Sequence, residues 1–311
     1  MRRVLITGIS GGLGRLVARR LHGRVEVLGV DRAPWRRPPK GIRIHPLDLR
    51  KKKFEDLIRT ERPDAIVHLG FVRHFRTEPA LRHEVNVLGT RRVLEYAVEY
   101  GVRQVVVFSS SYVYGALPEN SYYLDEDAPL NVSRTYPEVR DLAEVDMLAT
   151  AFLWRHPDLG VVVLRPVNIL GPTVRSAISQ YLRMEYVPTV LGFNPMMQFV
   201  HEEDVADAIV LALEHELRGI FNLVGPGAVP LHVAIRETGG VPVPLPEFVL
   251  RRTIRRLFRW RLFPFPDGAV DFVKYPCTLD GRRFVAETGF RPRHSLPDVF
   301  AKFGRGDDAW R

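Results

Sequence analysis

The chain has one cysteine, Cys277, among 311 residues, which excludes an intramolecular disulfide. No reactive-cysteine context surrounds it, so the thiol reads as a small packed side chain and not as a nucleophile. No apolar run reaches the roughly 18 residues that a membrane span needs. Met1-Arg2-Arg3 passes straight into a strand without the apolar stretch of a secretory signal, so a cytoplasmic home is expected. Internal repeats and low-complexity segments are lacking too. Hydrophobic residues make up 46% and charged residues 26%, ordinary globular usage, so a chain this long should bury a full core without metals or disulfides. The imbalance that is present is positive: 45 Lys and Arg against 36 Asp and Glu, a formal net charge of +9. Such a charge suits an anionic partner, whether nucleotide, phosphorylated sugar, nucleic acid or membrane surface, without choosing among them.

The stretch that organises the chain is Thr7 to Gly14, T-G-I-S-G-G-L-G. Val4-Leu5-Ile6 before it suits a buried parallel strand, and Leu13, Leu16, Val17 and Leu21 after it repeat at helical spacing. In a strand-turn-helix unit, Gly8, Gly11 and Gly14 permit a tight turn, a close approach of backbone to a pyrophosphate, and close helix packing. The helix N-terminus then offers free N–H groups to the anion. The spacing G-x-x-G-x-x-G with its leading threonine resembles the dinucleotide loop of the short-chain dehydrogenase/reductase family. The resemblance assigns Gly8, Ser10, Gly11, Gly12, Leu13 and Gly14 to cofactor binding.

Strands and helices alternate from there. Val25 to Val30 reads as a second strand ending at Asp31, an acid placed to accept hydrogen bonds from the adenosine ribose hydroxyls, which favours NAD. Arg32, Arg36 and Arg37 could instead grip a 2′-phosphate, so NADP remains the lesser reading. Pro34 to Lys40 reads as a surface loop and Ile42 to Ile44 as a third strand. At Asp48-Leu49 two readings stand side by side. One is the acid that the family sets against the adenine amino group, and the other is a cap for the helix that Phe54, Leu57 and Ile58 begin. Ala65 to Leu69 reads as a fourth strand, and the segment from His68 through Leu69, Gly70 and Phe71 is similar to the family segment running under the cofactor phosphates. His68 itself reads as a packed strand residue. A helix from about Glu84 to Tyr100 follows, then strands at Val105 to Phe108 and Val161 to Leu164. The rhythm implies an α/β fold with a doubly wound parallel sheet of Rossmann type. Residues 1–171 and about 198–224 would form it, with 172–197 and 225–311 as a smaller C-terminal substrate lobe.

Ser109-Ser110-Ser111-Tyr112-Val113-Tyr114-Gly115 resembles the S-x-x-V-Y-G element of the extended short-chain dehydrogenases, the epimerase and dehydratase branch. Position by position, Ser110 falls on the catalytic serine, whose hydroxyl can hydrogen-bond a carbinol or carbonyl oxygen at the carboxyl edge of the sheet. Ser109 falls beside the cofactor, and Ser111 and Tyr112 beside the substrate. Tyr136 follows and opens a helix, with Pro137 in its first turn and Arg140 on the same face. The family pattern is Y-x-x-x-K, so Tyr136 falls on the general base and Arg140 stands where the lysine belongs. Making a tyrosine of pKa near 10 a base near pH 7 takes roughly 4 kcal/mol. A unit charge about 4 Å away at an effective dielectric near 20 supplies roughly that. Arginine thus carries the charge, but its planar fork does not reproduce the compact ammonium that in the family also binds the nicotinamide ribose. Two readings follow: a hydride-transfer enzyme, and a catalytically impaired dinucleotide-binding sensor or scaffold.

Leu164 to Pro172 is similar to the family's L-R-x-x-N-x-x-G-P, in which Pro166 and Val167 border the nicotinamide and Asn168 contacts the substrate. Gln198 to Ala206 resembles its F-x-H-x-x-D-V-A segment. His201 with Glu202, Glu203 and Asp204 reads as a helix start and not as a metal site, because consecutive acids cannot all face one ion. Arg251 to Arg261 holds six arginines among Ile254, Leu257, Phe258 and Trp260. It reads as a solvated basic face first, then as a clamp for a nucleotide-sugar diphosphate, a membrane-surface helix or a nucleic-acid contact. The nucleic-acid reading has no other support. The helix from Tyr136 to Trp154 is apolar on more than one side, and family members commonly dimerise through it and the helix of Glu84 to Tyr100, so a homodimer is expected. The resemblance as a whole implies an NAD-dependent enzyme acting by hydride transfer on a hydroxyl of a nucleotide sugar.

Overall fold

Leu5, at the middle of the first strand, is fully buried because both faces of its sheet are covered by helices, as parallel strands require. The computed structural model describes residues 1–72, 77–135, 139–260, 262–263 and 265–303. In chain order the elements are β1 (Arg3–Thr7), α1 (Gly12–Leu21), β2 (Glu26–Asp31), β3 (Arg43–Pro46), α2 (Lys52–Glu61), β4 (Ala65–His68), α3 (Pro79–His83), a π turn (Glu84–Leu88) and α4 (Gly89–Glu99). There follow β5 (Gln104–Phe108), a 3-10 turn (Ser111–Tyr114), α5 (Val132–Thr135), α6 (Arg140–Arg155), β6 (Gly160–Pro166), β7 (Asn168–Leu170), α7 (Ala177–Leu182), β8 (Tyr186–Val190), β9 (Met196–His201) and α8 (Glu202–Glu214). The chain continues through β10 (Gly219–Leu223), β11 (Ala228–Pro230), α9 (Leu231–Glu237), β12 (Val241–Leu245), α10 (Glu247–Arg259), a 3-10 turn (Asp267–Val273), α11 (Arg282–Thr288) and α12 (Leu296–Phe303).

The main sheet has seven parallel strands in the order β10-β6-β5-β4-β1-β2-β3. Alternate residues of each strand serve opposite layers. Val4, Ile6, Val106 and Phe108 pack with Leu13, Leu16 and Val17 of α1 and Ile209 and Leu213 of α8. Leu5, Val105 and Val107 pack with Phe54 and Ile58 of α2, Val93 and Leu94 of α4, and Val145 and Ala149 of α6. Strand order reverses between β1 and β4, which leaves a crevice at their carboxyl ends, the place where ligands bind in open α/β sheets. A third core joins Leu170, Tyr181, Val187, Leu231, Leu250 and Phe300 around two small sheets, β11-β9-β7 and β12-β8.

Several elements differ from the expectations. The helix expected from Glu84 begins at Pro79 and is widened by a π turn at Glu84–Leu88, a local change that a 3.6-residue pattern does not register. Helix α2 has Lys51 at its N-cap without a side-chain cap, so the capping reading of Asp48 is corrected. Tyr136 and Pro137, expected to open a helix, lie outside the described residues, and α6 occupies Arg140–Arg155. The start of α8 is as expected, with His201 at its N-cap accepting from the Glu203 N–H at 3.3 Å. In α10, Leu250 and Ile254 turn inward while Arg252, Arg256 and Arg259 are exposed; Arg261 lies outside the described residues. Among the described residues no helix is long and apolar enough to cross a membrane.

Candidate functional site

The turn after β1 leaves no room for side chains. Gly8 has φ +71°, and a Cβ there would meet the backbone of Leu69 at 2.8 Å; one on Gly14 would meet the Gly8 carbonyl oxygen at 2.3 Å. Only glycine permits both the left-handed turn and this approach. The result is a backbone cradle whose rim is the first turn of α1, with N–H groups open to an anion. Asp31, at the end of β2, ties this loop down. Its carboxylate accepts from the Ser10 N–H at 3.0 Å and the Ala33 N–H at 2.9 Å, while Ser10 Oγ donates to the Ala33 carbonyl at 2.8 Å.

Beneath the cradle a hydrogen-bond chain crosses from β1 to α4. Gly70 N donates to Thr7 Oγ1 at 3.2 Å, Thr7 Oγ1 lies 2.7 Å from His68 Nδ1, and His68 Nε2 lies 3.0 Å from Thr90 Oγ1, which donates to the Asn86 carbonyl. Since Thr90 gives its proton to Asn86, it accepts from His68 Nε2, and Nδ1 accepts from Thr7. The ring is therefore neutral, and burial holds its pKa down to about 3. His68 is the packed strand residue that was expected. Asn86 clasps the neighbouring segment, its Oδ1 accepting from Val72 N at 2.8 Å and its Nδ2 donating to the Val72 carbonyl at 3.0 Å.

One groove runs from this cradle to the far edge of the sheet. Gly8, Gly11, Gly12, Leu13 and Gly14 line one end, and Leu69, Phe71 and Val72 its floor. Ser109, Ser110, Ser111, Tyr112, Pro166, Val167 and Asn168 line the other end. Ser110 caps the 3-10 turn, its Oγ accepting from Tyr112 N at 3.3 Å. Tyr112 Oη donates to Asn168 Oδ1 at 3.4 Å, and Asn168 Nδ2 to the Gln198 carbonyl at 3.0 Å. Ser109 turns away and donates to Asp146 at 2.6 Å.

Ser10, Asp31, Arg32, Asp48, Leu49 and Gly70 stand outside the walls of the groove. Asp48 is held by Arg50, whose Nε and Nη2 donate to it at 3.0 and 2.7 Å, and these bonds lower its pKa to about 2. Arg140 faces solvent, 57% exposed and 3.6 Å from Glu144, and it too stands outside the walls. Tyr136 lies outside the described residues.

Three features in or behind the groove escaped the sequence reading. Arg82 of α3 is buried and donates from Nε to Asp141 of α6 at 3.0 Å, and both line the groove. No local signal announces a pair 59 residues apart. Glu202 was read as a helix-dipole acid, but it is buried and accepts from Thr173 N and Oγ1 and from Val174 N, pinning the loop that faces Gly12. Burial raises its pKa. Asn86 left one signal, a polar residue inside the run Val85-Asn86-Val87-Leu88.

His201, Glu203 and His294 gather within 4.8 Å of one another. The two rings stack 3.9 Å apart with 30° between planes. His294 Nδ1 lies 3.1 Å from Asp204, so the cluster serves the start of α8.

The chain is similar to a 3-diazoavenalumate denitrifying reductase of Streptomyces, 27% identical over 242 residues that cover 73% of this chain and 77% of the relative. It is also similar to the UDP-glucose 4-epimerase of Mycolicibacterium smegmatis, 30% identical over 279 residues, 79% of this chain and 85% of that one. Among solved structures, MoeE5 in complex with UDP-glucose and NAD superposes with a TM-score of 0.74 at 26% identity, covering 97% of both chains. The profile of the NAD dependent epimerase/dehydratase family matches residues 4–224, and the chain belongs to that family.

Proposed function

We propose that the protein oxidises or reduces its substrate at a hydroxyl-bearing carbon, the step common to epimerisation, dehydration and reduction. The observation that carries this reading is the single groove joining the glycine cradle to Ser110, Tyr112 and Asn168. NAD is the cofactor, and bound there it would supply the hydride acceptor. Gly8 to Gly14 and the first turn of α1 would hold its pyrophosphate and Asp31 its adenosine ribose, with Asp48, Leu49, Leu69, Gly70 and Phe71 along its adenine and phosphates. Pro166 and Val167 would border its reactive end.

The chain's own residues divide the remaining work. Ser110 holds the substrate oxygen, Tyr136 takes the hydroxyl proton, and Arg140 stands four residues after Tyr136, where the family pattern has its lysine. Asn168, Ser111 and Tyr112 orient the substrate. The names of the relatives point to nucleotide sugars as the substrate class, and their being enzymes favours catalysis over a sensor or scaffold role. Leu88 and Val98, around α4, and Met147 and Trp154, on α6, are exposed, which supports a homodimer through these helices.

The test is NADH absorbance with candidate alcohols for Ser110→Ala and Tyr136→Phe. Removing a general base should cost about 100-fold or more in turnover. Turnover unchanged in Tyr136→Phe contradicts the proposal.

A further inference from the structure

The groove does not end at Asn168. Past Ser111, Tyr112 and Asn168, which line both spaces, it opens into a narrow cleft. Its walls are apolar and aromatic: Tyr181 from α7, Leu250 and Ile254 from α10, then Phe263, Val270 and Phe272. Among the described residues no charged side chain lines it.

The polar atoms at its edge are engaged with one another. Tyr181 Oη donates to the Pro188 carbonyl at 2.8 Å, Cys277 Sγ to the Ser111 carbonyl at 3.5 Å, and Tyr112 Oη to Asn168. Tyr112 leans on Phe272, ring centroids 4.5 Å apart. Burial pushes the Cys277 thiol up to about 12, so this wall stays uncharged at physiological pH.

Among the described residues, three cations beside the cleft are paired with acids, and Arg175 lines the groove but not the cleft. Arg251 binds Glu247 and Asp271, Arg255 binds Asp267, and Lys274 binds Glu247 at 2.9 Å beneath the rings of Phe193 and Tyr275. A diphosphate placed in this cleft would lose its water against walls that, among the described residues, carry no charged side chain, a heavy cost for a buried charge. A flat apolar ring would instead exchange water for apolar and aromatic walls.

We propose that this cleft selects the substrate, and that the substrate is an uncharged alcohol or carbonyl compound built on an apolar ring system. Its reacting oxygen lies at Ser110 and its ring lies among Tyr112, Tyr181, Phe263 and Phe272. The assignment of the reacting end rests on the hydride-transfer reading. The substrate body departs from the nucleotide sugars named for the relatives.

The test uses the full NAD-loaded chain and two probes, naphthylmethanol and UDP-glucose, with binding measured by calorimetry. Naphthylmethanol is expected to saturate the wild type and to bind about tenfold or more weakly in Ala269→Phe and in Val273→Phe, which fill the wall of the cleft. NAD affinity, measured on each variant, should stay as in the wild type and shows that the fold persists. UDP-glucose binding that these substitutions abolish, or naphthylmethanol binding that they leave unchanged, overturns the proposal. NADH absorbance separates the two readings, since oxidation of the alcohol to the aldehyde passes a hydride to NAD and releases one proton. Cleft binding without NADH from any bound alcohol contradicts hydride transfer and leaves the cleft assignment standing. NADH from UDP-glucose with no naphthylmethanol binding does the reverse.

Discussion

Arg165 and Asp146 face each other as a bidentate pair, Nε to Oδ2 at 2.9 Å and Nη2 to Oδ1 at 2.6 Å, with side chains 3% and 0% exposed. Ser109 donates to the same carboxylate, and Arg165 Nη1 reaches Tyr114 Oη at 2.8 Å and the Glu126 carbonyl at 2.9 Å. The pair thus anchors both ends of the Ser109 to Tyr114 segment that presents Ser110. Burial opposes the charge on Arg165, and the Asp146 hydrogen bonds outweigh it, so its pKa is raised.

Removing one member leaves the other charge buried without a partner, which costs about 3–5 kcal/mol. Asp146→Ala and Arg165→Met should each lower unfolding stability by about that amount in urea titrations. The double variant Asp146→Leu with Arg165→Met should be more stable than either single one, since an apolar pair of similar size removes the unpaired charge. If the double variant is as unstable as the sum of the singles, the pair is not the anchor described.

His68 makes stability depend on pH with a definite sign. Its pKa falls from 6.5 to about 3 on folding because of burial, so the unfolded chain binds the proton first. Its contribution is fully present above pH 6.5 and is lost as pH falls towards 3, at up to about 1.4 kcal/mol per pH unit. His201, held down to about 4 chiefly by burial, adds in the same direction. Urea unfolding at a series of pH values should show this loss, and His68→Gln should make it shallower. An equal slope in the variant would contradict the neutral-ring chain from Thr7 to Thr90.

Arg140 offers a prediction by its exposure. A guanidinium in solvent beside Glu144 is screened and contributes little to a neighbour's ionisation. Arg140→Ala should therefore lower kcat/KM by less than about tenfold, a loss under 1.4 kcal/mol of transition-state stabilisation. A drop of the size expected for Tyr136→Phe would show that Arg140 takes the family lysine's part in full.

The legible features were those whose signal is local. The apolar strand runs such as Val4-Leu5-Ile6, the helical repeat of Leu13, Leu16, Val17 and Leu21, and the glycine spacing each report on neighbours within a turn or a strand. They placed the doubly wound sheet and one end of the groove. Ser110, Tyr112 and Asn168 come together as the resemblance implied, because each follows a strand whose carboxyl end is at the same edge. What stayed hidden depends on partners far along the chain: Arg82 with Asp141, Glu202 with Thr173, and Arg165 with Asp146. The basic stretch near Arg251 is the solvated face it read as first, with Arg252, Arg256 and Arg259 exposed, but its charge count said nothing of which side of α10 faces the cleft. Leu250 and Ile254 occupy that side.

The central claim is that the glycine cradle holds NAD in a groove leading to Ser110, and calorimetric titration of the full chain with NAD tests it most directly. The account predicts saturable binding, tighter for NAD than for NADP, that is lost in Gly14→Val while the unfolding transition persists, because a side chain there runs into the Gly8 carbonyl. No binding by the wild type, or undiminished binding by a folded Gly14→Val, would contradict it.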